Sequence, residues 1–208
     1  MKLIDLKVTE FMDLLGSELP APGGGSASAL AAAMGASLVV MVGELTQGKK
    51  KYLEYEEATK EIIVEAKKAQ QELLLAIDKD TEAFNVVSAV FTMPKETDED
   101  KAERKIAMQS ALKGAAQSPF AIMEEIIKVL KITKRAVGKT NTNAASDLGV
   151  AALNLKSGLQ GAWLNVLINL SSIKDEAFVV EYQEKGQKVL NEGSQIADEI
   201  YEETLLTI

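Results

Sequence analysis

Pro22-Gly23-Gly24-Gly25-Ser26 opens an uncharged, alanine-rich run that ends at Gly43, and Gly48-Lys49-Lys50-Lys51-Tyr52 follows shortly after it. Three consecutive glycines before a helix-forming run allow a sharp turn and the close approach of another group, because glycine carries no Cβ. A serine at the helix start is predicted to cap the first N–H groups, and those donors together with the helix dipole favour an anion. The whole segment therefore predicts a helix that carries a binding site.

The glycine motif alone has a second explanation, since a tight turn followed by an N-cap accounts for it equally well. It matches neither GxGxxG after a strand nor GxxxxGK[ST], so it supports neither a dinucleotide-binding fold nor a P-loop. In the helix that follows, Ala27, Ala31 and Gly35 recur every fourth residue. This spacing predicts a small-residue face on which another helix packs closely, and hence a central position for the helix.

The amino-acid composition limits the kinds of site and of catalysis that the chain can support. The chain has 208 residues and a formal net charge of −8, with neither cysteine nor histidine. This length fits one domain, predicted to span residues 1–208, and the negative charge argues against general nucleic-acid binding. Disulfides, thiolate nucleophiles and Cys- or His-based metal sites are excluded, and we predict no metal site. Acid–base chemistry near neutral pH must then use carboxylates, lysine or tyrosine with shifted pKa values.

No segment predicts export or a membrane anchor. The N-terminus lacks an apolar run long enough for a signal peptide. Residues 26–43 are uncharged and approach membrane-spanning length, but alanine, glycine and serine dominate them, so a buried helix is favoured over a membrane span. The sequence therefore predicts a cytoplasmic protein without a membrane partner.

Helical periodicity covers most of the chain, and strand signals are scarce. It predicts helices at about 9–17, 26–47, 54–92, 98–117, 119–137, 143–171 and 173–206, with Thr9 and Thr97 as N-caps and Pro119 as a boundary. Long helices with short connections are typical of an antiparallel bundle. The predicted fold class is an all-α, single-domain antiparallel bundle of long helices.

One seam of the helix predicted over 54–92 contains a carboxylate. Its members follow at intervals of three and four residues: Leu73, Ile77, Asp80, Phe84, Val87 and Phe91. Asp80 stands where an apolar residue is expected, and a carboxylate there is either paired or has a shifted pKa. The alternative is that Asp80-Thr81 caps a break in the helix and stays solvated. The functional interpretation is favoured, because neither glycine nor proline interrupts the seam.

A polar stripe marks the helix predicted over 143–171. One helical face carries amides and a carboxylate with small residues between them: Asp147, Ala151, Asn154, Gly158, Gly161 or Ala162, Asn165 and Asn169. Amides and a carboxylate, with glycines that provide space, suit recognition of a planar polar heterocycle. A polar seam between helices at a subunit contact explains the stripe as well, and both interpretations can hold together.

Together these motifs resemble the cyclodeaminase/cyclohydrolase family of one-carbon tetrahydrofolate enzymes, which includes the cyclodeaminase domain of formiminotransferase-cyclodeaminase. The resemblance rests on the glycine motif with its alanine-rich helix, the Gly48–Tyr52 motif, Asp80 to Phe84 with Pro94-Lys95 after it, and Ser146-Asp147-Leu148 with Asn165 and Asn169 downstream. These motifs span nearly the whole chain in family order. The resemblance implies an all-helical homodimer that acts on folate without metal or any further cofactor.

The resemblance also implies one of two reactions. Cyclodeamination converts 5-formiminotetrahydrofolate to 5,10-methenyltetrahydrofolate with release of ammonia, and cyclohydrolysis interconverts methenyl- and 10-formyltetrahydrofolate. Asp80 or Asp147 is the hypothesised acid–base group, and the remaining carboxylate and the amides hold the pterin. The lysines and the glycine-loop N–H groups are candidates for the carboxylates of a glutamate or polyglutamate tail. The candidate substrate-binding residues are Gly23, Gly24, Gly25, Ser26, Lys49, Lys50, Lys51, Asn143, Ser146, Asn154 and Asn165.

A non-catalytic helical dimer that binds a small ligand or a partner protein is the main alternative function. It explains the small-residue seams but leaves the seam position of Asp80 unexplained. A membrane-associated bundle is a more distant third interpretation.

Overall fold

Six α-helices form the protein, as described by a computed structural model of residues 2–208. They are α1 (Val8–Leu15), α2 (Gly24–Glu44), α3 (Glu56–Val90), α4 (Asp98–Ala136), α5 (Ala145–Leu170) and α6 (Glu176–Leu205). Short 3-10 turns lie at Leu3–Asp5, Lys50–Tyr55 and Thr142–Ala144, and no β-strand occurs within the described residues. The predicted all-α bundle is confirmed.

Helix α2 lies between α3 and α5 and runs antiparallel to both. A Cβ on Gly35 would lie 2.8 Å from Leu155 Cγ, and one on Gly158 would lie 2.8 Å from the Ser28 carbonyl oxygen. The predicted close packing is confirmed, but the face differs in part: Ala27 and Ala31 are half-buried. The alanines of α2 that leave no surface exposed are Ala29, Ala32 and Ala36.

The apolar character of α2 follows from this central position. Within the described residues it is the one helix whose length and mean hydropathy of 1.8 would allow it to cross a membrane. In the bundle, 56% of the most apolar 18-residue stretch of α2 is buried inside the protein. The same composition serves a core helix, since small residues let both neighbours approach its backbone.

Two predicted caps are wrong and one is confirmed. Helix α1 begins at Val8, because the Glu10 carboxylate accepts the backbone N–H of Lys7 at 2.9 Å and makes Lys7 the N-cap instead of Thr9. Helix α2 begins at Gly24, so Ser26 lies inside its first turn and does not cap it. Thr97 does cap α4, accepting the backbone N–H of Asp100 at 3.0 Å.

The predicted break at Pro119 is also wrong, since α4 continues through it from Asp98 to Ala136. Proline has no N–H, so the carbonyl of Ala115 lacks its usual partner four residues later. The side-chain amide of Asn169 on α5 donates to that carbonyl at 3.0 Å. A neighbouring helix thus satisfies the group that the proline leaves open, and the helix is not interrupted.

This contact gives a first testable prediction. We expect Asn169→Ala to lower the free energy of unfolding by about 1–3 kcal/mol, because the Ala115 carbonyl loses its donor. Pro119→Ala restores a backbone N–H for that carbonyl, so the same substitution should cost less in the Pro119→Ala background. Urea unfolding of wild type, both single variants and the double variant gives the coupling energy. Equal costs in the two backgrounds would contradict the assignment.

Candidate active site

A cavity of about 310 Å³ lies where the N-terminus of α2 meets α3 and the C-terminal part of α5. We call it the glycine-loop pocket. Its volume is at the lower end of the range for small-molecule sites. It is lined by Pro20, Ala21, Gly23, Gly24, Gly25, Asp80, Thr81, Phe84, Ala115, Asn165, Ile168 and Asn169.

Asp80 lies directly against the first turn of α2. A Cβ on Gly25 would overlap all three carboxylate atoms of Asp80, so only glycine at this position allows the two helices to meet as they do. Ser26 Oγ lies 2.8 Å from the Ile77 carbonyl oxygen, 3.3 Å from Asp80 Oδ2 and 3.1 Å from the Thr81 hydroxyl, and its one hydrogen is donated to one of these three oxygens. The glycine motif therefore positions a carboxylate, and its serine contacts that carboxylate from within the helix.

Burial raises the pKa of Asp80 above its ordinary value. The Ser26 hydroxyl and backbone N–H lower the pKa by a smaller amount, because they bond to the charged form. No lysine or arginine forms an ion pair with Asp80 within residues 2–208. An unpaired, half-buried carboxylate in a cavity with a raised pKa is suited to proton transfer near neutral pH.

Two amides complete the polar lining of the pocket. Asn165 Nδ2 donates to the Gly161 carbonyl at 2.9 Å, and Asn169 Nδ2 donates to the Ala115 and Asn165 carbonyls at 3.0 and 2.8 Å. These bonds fix which end of each amide is nitrogen, because the partners are all acceptors. The amide oxygens are left for a ligand. Together with Asp80, the pocket presents acceptors that match the N–H and amino donors of a polar heterocycle.

Phe84 is a pocket residue that the sequence prediction did not assign to the site. The seam was expected to be apolar and buried to Phe91, yet only Val87 is buried beyond Ile77, and Phe84 is 38% exposed at the pocket edge. Its ring provides a flat apolar surface for an aromatic ligand. The available signal was its place one helical turn after Asp80 on the same face.

The other predicted residues cluster at the opposite end of the molecule. Helix α2 has 21 residues and is about 30 Å long, with the glycine loop before it and Lys49–Lys51 after it. Lys51 Nζ lies 3.4 Å from Thr142 Oγ1. The first turn of α5 follows with the remaining predicted residues. We call the group Lys49, Lys50, Lys51, Asn143, Ser146 and Asp147 the lysine cluster.

Tyr52 belongs to this end of the molecule as well. Its phenolic oxygen accepts the backbone N–H of Thr142 at 3.0 Å and lies 3.2 Å from the Thr142 hydroxyl. These hydrogen bonds, with a smaller contribution from Lys51, lower the pKa of Tyr52 to about 8. In a chain without histidine, it is a second titratable group that the sequence prediction did not single out.

Within one chain, the structure brings together Gly23–Gly25, Ser26, Asp80 and Asn165, and separates them from the lysine cluster. Asp147 and Asn165 lie eighteen residues apart on one continuous helix, or about 27 Å. The two candidate carboxylates therefore do not share a pocket in a single subunit.

The middle of the predicted polar stripe serves packing. Gly158 and Gly161 face Ser28 of α2, which fills the space that was expected for a heterocycle. Asn154 donates its side-chain amide to the Val150 carbonyl of its own helix at 3.0 Å. The interpretation of these glycines as room for a ligand is wrong, because they allow α2 and α5 to approach closely.

Comparison with known proteins decides the family. The sequence pattern of formiminotransferase-cyclodeaminase matches residues 7–188. The chain belongs to this family. A methenyltetrahydrofolate cyclohydrolase from Methylorubrum extorquens is 40% identical to the present chain over 195 residues, which cover 94% of each protein.

Longer relatives whose names combine two activities, and one solved structure, are also similar to this chain. Formimidoyltransferase-cyclodeaminases from Gallus gallus and Dictyostelium discoideum are 33% and 37% identical, and the matched regions cover 36% and 38% of those longer proteins. The crystal structure of formiminotetrahydrofolate cyclodeaminase from Thermotoga maritima has a TM-score of 0.80 at 28% identity. It covers 97% of this chain and 95% of its own. The predicted family and helical fold are thus confirmed.

Proposed function

We propose that this chain hydrolyses 5,10-methenyltetrahydrofolate to 10-formyltetrahydrofolate in the glycine-loop pocket. The observation that carries the choice is the 40% identity to a methenyltetrahydrofolate cyclohydrolase over 94% of both chains. The pocket chemistry supports it, since the carboxylate of Asp80 lies beside amide acceptors and an exposed aromatic ring. The reaction needs a proton acceptor and a donor in turn, and Asp80 serves as both.

In the proposed mechanism, a water molecule adds to the methenyl carbon between N5 and N10, and Asp80 accepts one of its protons. The product of this step is a tetrahedral carbon that carries a hydroxyl group. Asp80 then returns its proton to N5 as the bond between that carbon and N5 breaks. The hydroxyl proton leaves to solvent, so the formyl group stays on N10 and the reaction releases one proton in total.

Cyclodeamination of 5-formiminotetrahydrofolate is the second candidate, and the Thermotoga maritima structure and the two-activity relatives favour it. Here N10 attacks the carbon of the protonated formimino group, and the carboxylate of Asp80 takes the proton that N10 loses. Asp80 then gives this proton to the amino group on the tetrahedral carbon, and the bond between that carbon and the amino nitrogen breaks to release ammonia. In both reactions the tetrahedral carbon lies between N5 and N10, and it carries an amino group here and a hydroxyl group in the hydrolysis, so one site geometry serves either reaction. The deaminase therefore releases ammonia and closes the ring, whereas the hydrolase adds water and opens it.

Two parallel assays test the proposal. The purified protein is mixed with methenyltetrahydrofolate, and loss of its chromophore is compared with the uncatalysed rate. A second reaction supplies formiminotetrahydrofolate and measures ammonia. Faster chromophore loss without ammonia release supports the hydrolase, and ammonia release supports the deaminase. Binding of folate without either reaction would favour the non-catalytic alternative.

We further propose that the enzyme works as a homodimer through an apolar face of α2 and α5. Six large apolar side chains on these helices are 38–70% exposed: Met34, Met41, Val150, Leu153, Leu164 and Ile168. A two-fold axis near Met34, at the middle of α2, would set the two copies of α2 antiparallel. The partner's lysine cluster would then lie beside the glycine-loop pocket, and a complete site would contain both predicted carboxylates.

Subunit mixing tests this arrangement. If Asp80→Asn and Asp147→Asn each lose activity, a mixed dimer of the two contains one site with both carboxylates intact. Random exchange of equal amounts should restore roughly a quarter of the wild-type sites. No recovery after verified subunit exchange would place each site within one subunit, and full activity of Asp147→Asn would remove that residue from the chemistry.

The remaining expectations stay predictions for this enzyme: a cytoplasmic location, no cofactor or metal beyond the folate, and no nucleic-acid or membrane partner.

A further inference from the structure

A second cavity, of about 350 Å³, lies beside the connection between α3 and α4. Its lining includes Phe91, Lys101, Arg104, Lys105, Met108 and Lys174, and we call it the cationic pocket. No carboxylate belongs to its lining, although the chain as a whole carries a formal net charge of −8. Four cations without an acid in the wall of one cavity attract an anion.

The ion pairs of the described residues leave most of this charge unneutralised. Lys101 pairs with Asp98 at 3.0 Å on the exposed surface. Lys105 and Lys174 have no carboxylate within ion-pair distance among residues 2–208, and Asp175, next to Lys174, is occupied by Lys113 at 2.6 Å. By contrast, the cations of the groove between the middle parts of α3 and α4 are interspersed with glutamates.

Arg104 is held in place by the end of α3. Its Nε donates to the Val90 carbonyl at 3.1 Å, and a terminal nitrogen lies 3.4 Å from the Phe91 carbonyl oxygen. These acceptors are helix C-terminal carbonyls, which orient the guanidinium without cancelling its charge. Its remaining N–H donors are free to bind a carboxylate. The ring of Phe91, which is 64% exposed, adds an apolar surface at the same position.

The cationic pocket lies in line with the glycine-loop pocket. Phe91, the C-cap of α3, is two helical turns beyond Phe84, and Met108 is two turns from Ala115 on α4. Because α3 and α4 are antiparallel, both steps lead about 10 Å toward the same end of the bundle. A ligand with its ring system at Asp80 and an anionic extension along α3 and α4 would reach the cations.

From this placement we infer that the cationic pocket binds the γ-linked glutamate tail of a polyglutamylated tetrahydrofolate. The inference rests on the proposed folate chemistry of the glycine-loop pocket. Each glutamate adds an α-carboxylate, so the tail is a regular polyanion that pairs with Arg104, Lys105 and Lys174. The location differs from the tail site predicted at Lys49–Lys51, which lies at the other end of α2 and can reach the pocket only from a second subunit.

Charge-neutralising variants distinguish the two locations. The test compares Lys105→Gln/Lys174→Gln with Lys49→Gln/Lys50→Gln/Lys51→Gln, and uses Lys68→Gln/Lys188→Gln as a control on exposed lysines outside both sites. The readout is the ratio of KM for the monoglutamate to KM for the pentaglutamate of methenyltetrahydrofolate. We expect this ratio to fall about threefold to tenfold in the first variant and to stay at the wild-type value in the control.

Calorimetry with p-aminobenzoyl-pentaglutamate, which lacks the pterin, gives a readout that does not need turnover. Binding should weaken in Lys105→Gln/Lys174→Gln and with added salt. Loss of the tail preference in the Lys49–Lys51 variant alone would overturn the inference, as would a wild-type enzyme that binds the mono- and pentaglutamate equally. If no folate is turned over but the peptide still binds through Lys105 and Lys174, the proposed reaction fails and the tail site stands.

Discussion

Asp80→Asn should lower kcat by roughly 10²–10⁴-fold while the protein remains folded. The substitution keeps the size of the side chain and removes its ability to accept a proton. Burial already raises the pKa of Asp80, so a neutral amide fits the same surroundings at no added desolvation cost. The free energy of unfolding at neutral pH should therefore be unchanged or higher, which separates lost chemistry from lost structure.

The pH dependence provides the second part of this test. In the native state the pKa of Asp80 lies above its unfolded value, so its contribution to stability is largest in acid. That contribution falls as pH rises from the ordinary aspartate pKa through the raised one. Hydrolysis needs the deprotonated carboxylate, so the rate should fall in acid with a midpoint above the ordinary pKa. The acid limb should disappear in Asp80→Asn.

Glu82→Gln is the matched control, because Glu82 lies two residues away on the exposed side of α3. It removes one negative charge from the same helix and should leave kcat and the acid limb unchanged. A similar loss of activity in both variants would point to a general charge effect. Wild-type turnover in Asp80→Asn would exclude Asp80 as the proton-transfer group.

Local pattern was sufficient to predict the helices and the position of Asp80. The seam from Leu73 to Phe91 and the small residues of α2 are each contained within one helix, so periodicity reports them directly. The prediction of a break at Pro119 was wrong because the Ala115 carbonyl, which the proline leaves without a backbone donor, accepts the side-chain amide of Asn169. That residue lies 50 positions after Pro119, on another helix. No local rule for proline contains such compensation.

The grouping of the candidate site residues could be predicted only in part, because it too depends on how distant segments pack. The sequence singled out Asp80, Asn165 and the lysines as site candidates, but linear order does not say which end of a long helix a residue reaches. Proximity in sequence suggested that Gly23–Gly25 and Lys49–Lys51 act together, yet the 21 residues of α2 hold them about 30 Å apart. Ser26 was read as a cap, and its contact with Asp80 depends on the packing of α3 against α2.

Gly25→Ala should lower kcat/KM by about 10²-fold or more and the free energy of unfolding by about 1–3 kcal/mol. A Cβ at this position would lie well inside 3.0 Å of the Asp80 carboxylate, a separation that real Cβ atoms essentially never reach. Either the carboxylate rotates away or α2 and α3 separate at the pocket. Both responses displace Asp80 from the position at which it meets the substrate.

Two comparisons show whether the collision with Asp80 is the cause. Gly23→Ala is the matched control: its backbone is extended, and the nearest atom to a new Cβ is the Pro20 carbonyl oxygen at 4.0 Å. Its stability cost should stay below about 1 kcal/mol, which reflects only that alanine is a poorer N-cap than glycine at the start of α2. In an Asp80→Ala background the added methyl of Gly25→Ala has room, so its stability cost should shrink when measured by urea unfolding. A cost that persists in that background would mean that α2 needs Gly25 for a reason other than Asp80, because the atoms that the methyl displaces would already be gone.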